Sequence, residues 1–395
     1  MKTLIITSKS PFPKLDGGCV AMANLIEGLH DQGHEIGVFV LETYKHPFQL
    51  AQVPEKLRKG IAWASCFVDT KINLVDAFTA LINDDSYNLT RFFSPDADKA
   101  LIEFMGKCAP DIVHIESLYA SVYLKTIRRC TNAPIVFRSH NLEFEIWQRL
   151  AKEATNPVKK MYFNMLATNL KKEEKKLIET VDGIASISSQ DLEYYKQFDT
   201  PAELIPFGME TPEVPESSTL RHSFFHLGAM DWKPNIDALN SFLIHAWQPF
   251  VEANPDAKLH LAGRKCQDYT PAFEHPSIIN HGEVPVASEF MLQYGTMVVP
   301  LFAGSGIRIK IIEGSLLGIP VITTPVGIQS IEHEEGKSVL VASNWEEWIS
   351  KLSHLYQNPE LSKSIGKLGQ AMMRRNHNLQ ESAEKLVKFY KKLRD

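Results

Sequence analysis

Short apolar runs alternate with amphipathic helical stretches along the 395 residues of this chain, and that alternation leaves few folds open. Residues 4–7 read as a buried strand. Asp16-Gly17-Gly18 reads as a glycine turn, and residues 20–31 as a helix with Ala21, Leu25, Ile26 and Leu29 on one side. Gly33 closes that helix, and residues 35–41 form the next strand. A strand, a crossover helix and a second strand in that order build a parallel sheet. The pattern returns at 112–115, 135–138 and 183–186, whereas residues 45–93 carry no regular pattern. A polar stretch from Pro206 through Pro212 and Pro215 to Ser218 is the best linker, because neither helix nor sheet interiors tolerate proline well. A second alternating series follows, with strands expected at 224–227, 258–262, 278–281, 297–300, 321–323 and 338–341. The expectation is an α/β protein of two doubly wound, Rossmann-like domains facing each other across a cleft. Sites should gather at the carboxyl ends of the strands.

Composition narrows the function classes. A content of 44% apolar and 23% charged residues suits a packed core, and a net charge of −5 gives a nucleic-acid partner no electrostatic footing. No stretch approaches the roughly 20 apolar residues that span a bilayer, and the run after Lys2 is too short for a signal-peptide core. Cys19, Cys66, Cys108, Cys130 and Cys266 include no C-x-x-C pair and read as reduced thiols. The expected location is the cytoplasm. Lys171-Lys172-Glu173-Glu174-Lys175-Lys176 reads as a solvated helix face. Taken with Lys159 and Lys160, it also suits peripheral contact with an anionic membrane at the inner face.

The most informative segment runs from Val298 to Gly314. A strand ends, Gly304-Ser305-Gly306 turns, and a helix begins. Glycine lets backbone approach a ligand, and a helix N-terminus offers unpaired N–H groups and a positive dipole end to phosphate. Arg308 and Lys310 add cationic charge, and Glu313 stands one turn further on, where a carboxylate can accept from a ribose diol. The bland alternative is an ordinary strand–turn–helix with a charged first turn. Leu317-Gly318-Ile319-Pro320-Val321-Ile322, followed by Gly327, tips the reading toward function.

With these segments the sequence resembles the GT-B fold glycosyltransferases of the family 4 group, which are retaining enzymes. The order Gly304 to Glu313, Gly318 to Ile322 and Gly327 matches that family. So do Gly17-Gly18, Pro110 to His114, Arg138-Ser139-His140-Asn141, Val181-Asp182-Gly183, Ile205 to Gly208, and Gly228 to Asn235. The resemblance implies an acceptor-side domain at 1–205, a linker at 206–220, a donor domain at 221–375, and a final helix at 376–395 packing back on the first domain. It implies a nucleotide-sugar donor and a saccharide or lipid-linked acceptor; the lack of any convincing carboxylate or histidine cluster, set against the cationic Arg308 and Lys310, leads to the expectation of no cofactor or metal. Gly17 and Gly18 would approach the donor phosphate or the acceptor; a simple tight turn is the alternative. Glu283 and Val284 would hold the nucleobase through backbone groups. His140 would bond a hydroxyl of the donor sugar; a loop histidine satisfied by backbone is the alternative. For His114 and Glu116, at another strand end, a structural role is the stronger reading. Arg308, Lys310 and Lys233 would stabilise the leaving diphosphate. Ser305 stands where the family often has a first glutamate, and Ala229 where it has an arginine.

Asp96-Ala97-Asp98 has the form of a metal-binding D-x-D, but it follows Ser94-Pro95 and reads as a capped helix start. The alternatives to transfer are a sugar-nucleotide epimerase and a non-catalytic nucleotide-sugar binding protein.

Overall fold

The computed structural model describes residues 1–71, 87–212, 223–304 and 306–395. The chain divides into two compact units, Met1–Gly208 with Leu379–Asp395, and Met209–Asn378. The backbone therefore passes from one unit to the other at Gly208 and returns at Leu379. Much of the expected linker, residues 213–222, lies outside the described residues.

The first unit is a seven-stranded sheet ordered β3-β2-β1-β4-β5-β6-β7. Its strands are β1 (Lys2–Thr7), β2 (Glu35–Glu42), β3 (Ala62–Phe67), β4 (Ile112–Glu116), β5 (Ile135–Ser139), β6 (Gly183–Ser186) and β7 (Ala202–Leu204). All neighbours pair in parallel, with Thr7 beside both Val40 and Glu116. In β1, Leu4 and Ile6 enter one apolar cluster and Ile5 the other, so both faces are covered. That is why the strand reads as an unbroken apolar run.

One face is covered by helix α1 (Gly17–Asp31) and by the last helix, α9 (Leu379–Arg394). A Cβ on Gly28 would stand 3.1 Å from the Ala383 methyl, so glycine at this point lets the two helices approach closely. Leu386, Phe389 and Tyr390 of α9 are buried against Ile5, Val136 and Ala185. The other face carries α2 (Pro95–Cys108), whose start is capped by Ser94 accepting from the Ala97 N–H. Two further helices, α3 (Glu143–Glu153) and α4 (Pro157–Thr180), pack on each other.

The second unit has six parallel strands ordered β10-β9-β8-β11-β12-β13. They are β8 (Phe224–Leu227), β9 (Leu259–Ala262), β10 (Ile278–Asn280), β11 (Thr296–Val299), β12 (Val321–Thr323) and β13 (Leu340–Val341). Helices α5 (Lys233–Phe242), α6 (Ile309–Leu316), α7 (Trp345–Gln357) and α8 (Pro359–Asn376) accompany the sheet. Phe224, Phe242, Trp247, Phe250 and Trp348 are central to its core. In each unit the strand order reverses beside the first strand, between β1 and β4 and between β8 and β11. Ligands of such sheets bind beyond the carboxyl ends at that reversal. Among the described residues, no helix is long and apolar enough to cross a membrane.

Candidate functional site

In the first unit the segment after β1 differs from its expected form. Helix α1 begins at Gly17, so Gly17 and Gly18 form its first turn rather than a turn before it. The cause is Asp16, whose side chain caps the helix by accepting from the Cys19 N–H at 3.0 Å. A Cβ on Gly18 would fall 2.7 Å from Lys9 Nζ, so glycine leaves room for that ammonium at the helix start. Asp16 also accepts from Lys9 Nζ at 2.6 Å and bonds His46 Nε2 at 2.9 Å. Burial would raise the Asp16 carboxyl, but the His46 bond and the Lys9 charge hold it far below the usual carboxylate range. Asp16, Cys19 and His46 bring three potential metal-ligand atoms within 4.8 Å of one another. A cation there would have to displace Lys9 from Asp16 and ionise a thiol that burial pushes up to about 11.

The ends of β4 and β5 carry a second network. Ser8 and Ser117 hydroxyls bond across the reversal at 2.8 Å, and Ser117 holds φ at +71°, an uncommon conformation for a non-glycine residue. Glu116, fully buried, pairs with Arg138 Nη1 at 3.2 Å, His114 Nε2 at 3.1 Å and His140 Nε2 at 2.5 Å. Burial opposes its charge, yet Arg138 and the two histidines hold its carboxyl well below the usual range. Arg138 Nη1 also donates to the Ala21 carbonyl of α1 at 3.3 Å. His140 thus stands at a strand end as expected, but a buried carboxylate, not backbone, holds it.

Glu143 follows His140 at the start of α3. It accepts from the Tyr119 hydroxyl at 3.0 Å, and burial raises its carboxyl. The α3 N-terminus is capped from α4: Glu174 accepts the Glu143 and Phe144 N–H groups at 2.9 and 3.2 Å. This corrects the reading of the Lys171 to Lys176 run as a wholly solvated face. Glu174 points inward, and burial pushes it up to about 8.

In the second unit, β11 leads into Gly304 and Gly306, with φ of +124° and +78°; Ser305 lies outside the described residues. Only glycine adopts these values without strain. Arg308 is the N-cap of α6; its guanidinium folds back, Nη1 donating to the Gly306 carbonyl at 2.8 Å. Lys310, in the first turn of α6, donates from Nζ to the Leu227 carbonyl at the end of β8, at 3.0 Å. Burial, and then the Arg308 charge, lower its ammonium to about 8. Glu313 lies one turn on, makes no side-chain hydrogen bond among the described residues, and is raised by burial.

The carboxyl ends of β8, β9 and β10 are laced together by glycines. Gly228 N–H donates to Ala262 O and Gly263 N–H to Gly282 O, each at 3.0 Å. A Cβ on Gly263 would lie 2.0 Å from the Gly228 carbonyl oxygen, so no other residue fits. Exposed Glu283 and half-buried Val284 follow in the loop after β10. Lys233 opens α5 and is 83% exposed, pairing with Asp237 at 3.0 Å; the neighbouring Trp232 ring, not Lys233, reaches the glycine turn. A Cβ on Gly304 would stand 3.0 Å from that ring. Neither Trp232 nor His226, a histidine inside the apolar run of β8, stands out in the sequence. His226 Nδ1 bonds the Val298 carbonyl at 2.9 Å, and its buried Nε2 has no partner among the described residues.

Comparison with known proteins bears on these arrangements. Residues 15–212 match the Glycosyltransferase Family 4 model, and residues 221–358 match that of Glycosyl transferases group 1. A Klebsiella pneumoniae protein described as an uncharacterized 44.6 kDa protein in the cps region is 20% identical over 367 residues, covering 87% of this chain and 88% of its own. Among solved structures, sucrose-phosphate synthase of Thermosynechococcus elongatus is 14% identical with a TM-score of 0.73, covering 100% of this chain and 99% of its own. HepE of Anabaena, in complex with UDP, is 13% identical with a TM-score of 0.68, covering 99% and 100%. The Family 4 match alone spans half of the sequence, and both parallel sheets share the fold of these enzymes. This chain belongs to glycosyltransferase family 4 and is a glycosyltransferase of the GT-B fold.

Proposed function

We propose that the protein transfers a sugar from a nucleoside-diphosphate sugar to a saccharide or lipid-linked acceptor, with retention and without a metal or other cofactor. The observation that carries this reading is the placement of Lys310. Its ammonium is tied to the end of β8 at the sheet's reversal, in the helix that follows the glycine turn and one turn before Glu313. A diphosphate bound there meets Lys310, Arg308 and the first N–H groups of α6, all suited to the charge that grows on the leaving group. Glu313 is the acceptor for a ribose diol, and Glu283 and Val284 border the base. Lys233, exposed on α5, is a weaker phosphate ligand than the turn residues. HepE has been solved with UDP-glucose and with UDP and glucose, which supports a donor of this class.

A lipid-linked acceptor is supported by the start of α4. Val158 and Met161 are each 70% exposed there, beside Lys159 and Lys160, a pairing of apolar and cationic side chains suited to an anionic membrane surface. The protein would then work in the cytoplasm, at the inner face of the membrane.

A panel of nucleotide sugars in thermal-shift format tests donor binding, since a ligand at 100 times its Kd adds about 2.7 kcal/mol. Product analysis with a labelled donor then separates transfer from epimerisation and from binding without turnover. An epimerised donor, or binding without product, would defeat the proposal.

A further inference from the structure

His140 is gripped by one nitrogen only. Its Nε2 lies 2.5 Å from Glu116 Oε2, and no described group bonds its Nδ1. Glu116 has no freedom to let go. Its other oxygen takes Arg138 Nη1 at 3.2 Å and His114 Nε2 at 3.1 Å, and all three side chains are at most 2% exposed. His114 is fixed in turn by the Tyr390 hydroxyl of α9, 2.5 Å from its Nδ1. Burial keeps His114 neutral, so the directions of these bonds follow. The Tyr390 O–H donates to His114 Nδ1, and His114 Nε2–H donates to Glu116. A carboxylate only accepts, so the His140 nitrogen facing it must carry a proton.

We propose that Glu116 is a positioning residue that locks His140 in its Nε2–H form and leaves Nδ1 as a bare acceptor for a sugar hydroxyl. The geometry gives this contact a chemical selectivity. A neutral imidazole with an unprotonated Nδ1 can accept from a hydroxyl and has nothing to donate to a phosphate oxygen. In its neutral form His140 therefore suits a hydroxyl of the glycosyl group and not a phosphate oxygen. Arg138 supplies the charge that keeps Glu116 ionised, while His114 and Tyr390 fix the carboxylate plane.

The inference rests on the proposed glycosyl transfer, and a mutant cycle tests it. Glu116→Gln keeps the shape and weakens the hold. It should lower kcat/KM by about 10- to 100-fold, the usual cost of losing an orienting partner. In a His140→Ala background the same substitution should cost less than about twofold, because a partner that acts only through His140 has nothing left to orient. An equal loss in both backgrounds would mean that Glu116 acts through the fold at large, and would overturn the proposal. Where Glu116→Gln fails to fold because Arg138 keeps an unpaired charge, Glu116→Gln with Arg138→Met removes both charges and carries the same cycle.

A second measurement needs no turnover. Imidazole nitrogen NMR of wild-type protein, taken above the pH range in which the ring is charged, should find the His140 proton on Nε2. A proton on Nδ1 sinks the idea. If no nucleotide sugar is turned over, the glycosyl-transfer reading fails by itself, and comparing the ring in wild type and in Glu116→Gln still decides whether Glu116 sets the His140 tautomer.

Discussion

Lys310 Nζ donates to the Leu227 carbonyl over 3.0 Å, tying the first turn of α6 to the last residue of β8. Among the described residues the cation is thus held by a backbone oxygen and by no carboxylate that would neutralise its charge. Lys310→Met should lower the turnover rate by about 10²- to 10³-fold, the usual cost of one preorganised electrostatic donor. Arg308→Ala should do the same. Rate measurements at saturating donor decide it. Wild-type rates in both would leave α6 as an ordinary charged helix start.

The lowered Lys310 ammonium also sets a pH limit. It is charged below about 8 and loses its proton above that value. The kcat/KM for the donor should therefore fall as pH rises through about 8. Lys310→Arg should move that alkaline limb upward, because a guanidinium keeps its charge throughout. An unmoved limb in the arginine variant assigns it to another group.

Glu313 has a carboxyl raised by burial and no hydrogen-bond partner among the described residues. Glu313→Gln should leave the fold at least as stable as wild type while weakening donor binding by about 1.5–3 kcal/mol, the worth of a charge-assisted bond. Calorimetric titration with the donor, beside a melting curve, checks both halves.

Glu174 gives a stability prediction. Its folded pKa, about 8, lies above the 4.5 of the free side chain, so between those values the folded state binds more protons than the unfolded one. Stability should then fall as pH rises from about 4.5 to about 8 and level off beyond. Each tenfold of proton affinity is about 1.4 kcal/mol, so the fall is on the order of a few kcal/mol. Glu174→Gln should flatten the curve in that window. Denaturant unfolding across the range would expose an unchanged slope.

For the metal question, turnover in excess chelator should equal turnover without it. Activity that vanishes and returns with zinc, and that His46→Ala also abolishes, would place a cation at Asp16, Cys19 and His46 after all.

The parallel strands were legible because burial on both faces leaves an apolar run with no polar alternation, as in residues 4–7 and 321–323. Strand β3 was not. It is a half-exposed sheet edge of sequence Ala-Trp-Ala-Ser-Cys-Phe, with nothing periodic to read. Gly17 and Gly18 read as a turn because glycine usually marks one; the Asp16 cap outweighs that tendency and draws both into the helix. The glycine turn before α6 was legible because its parts are consecutive. The partners of His140 and Lys310 were hidden, since they lie 24 and 83 residues away and only the sheet order brings them near. Glu174 was misread for the same reason: its partners are N–H groups of another helix.

Helix α9 is made after the whole second unit, yet Leu386, Phe389 and Tyr390 complete the core of the first. During synthesis the unit begun first is therefore the one finished last. Its sheet must wait, with the face beneath α9 uncovered, while some 170 residues emerge and the second unit closes on its own. Domains usually fold in the order they leave the ribosome; here the middle of the message can be complete before the beginning. A premature stop just before Leu379 would spare the younger unit and cripple the older one.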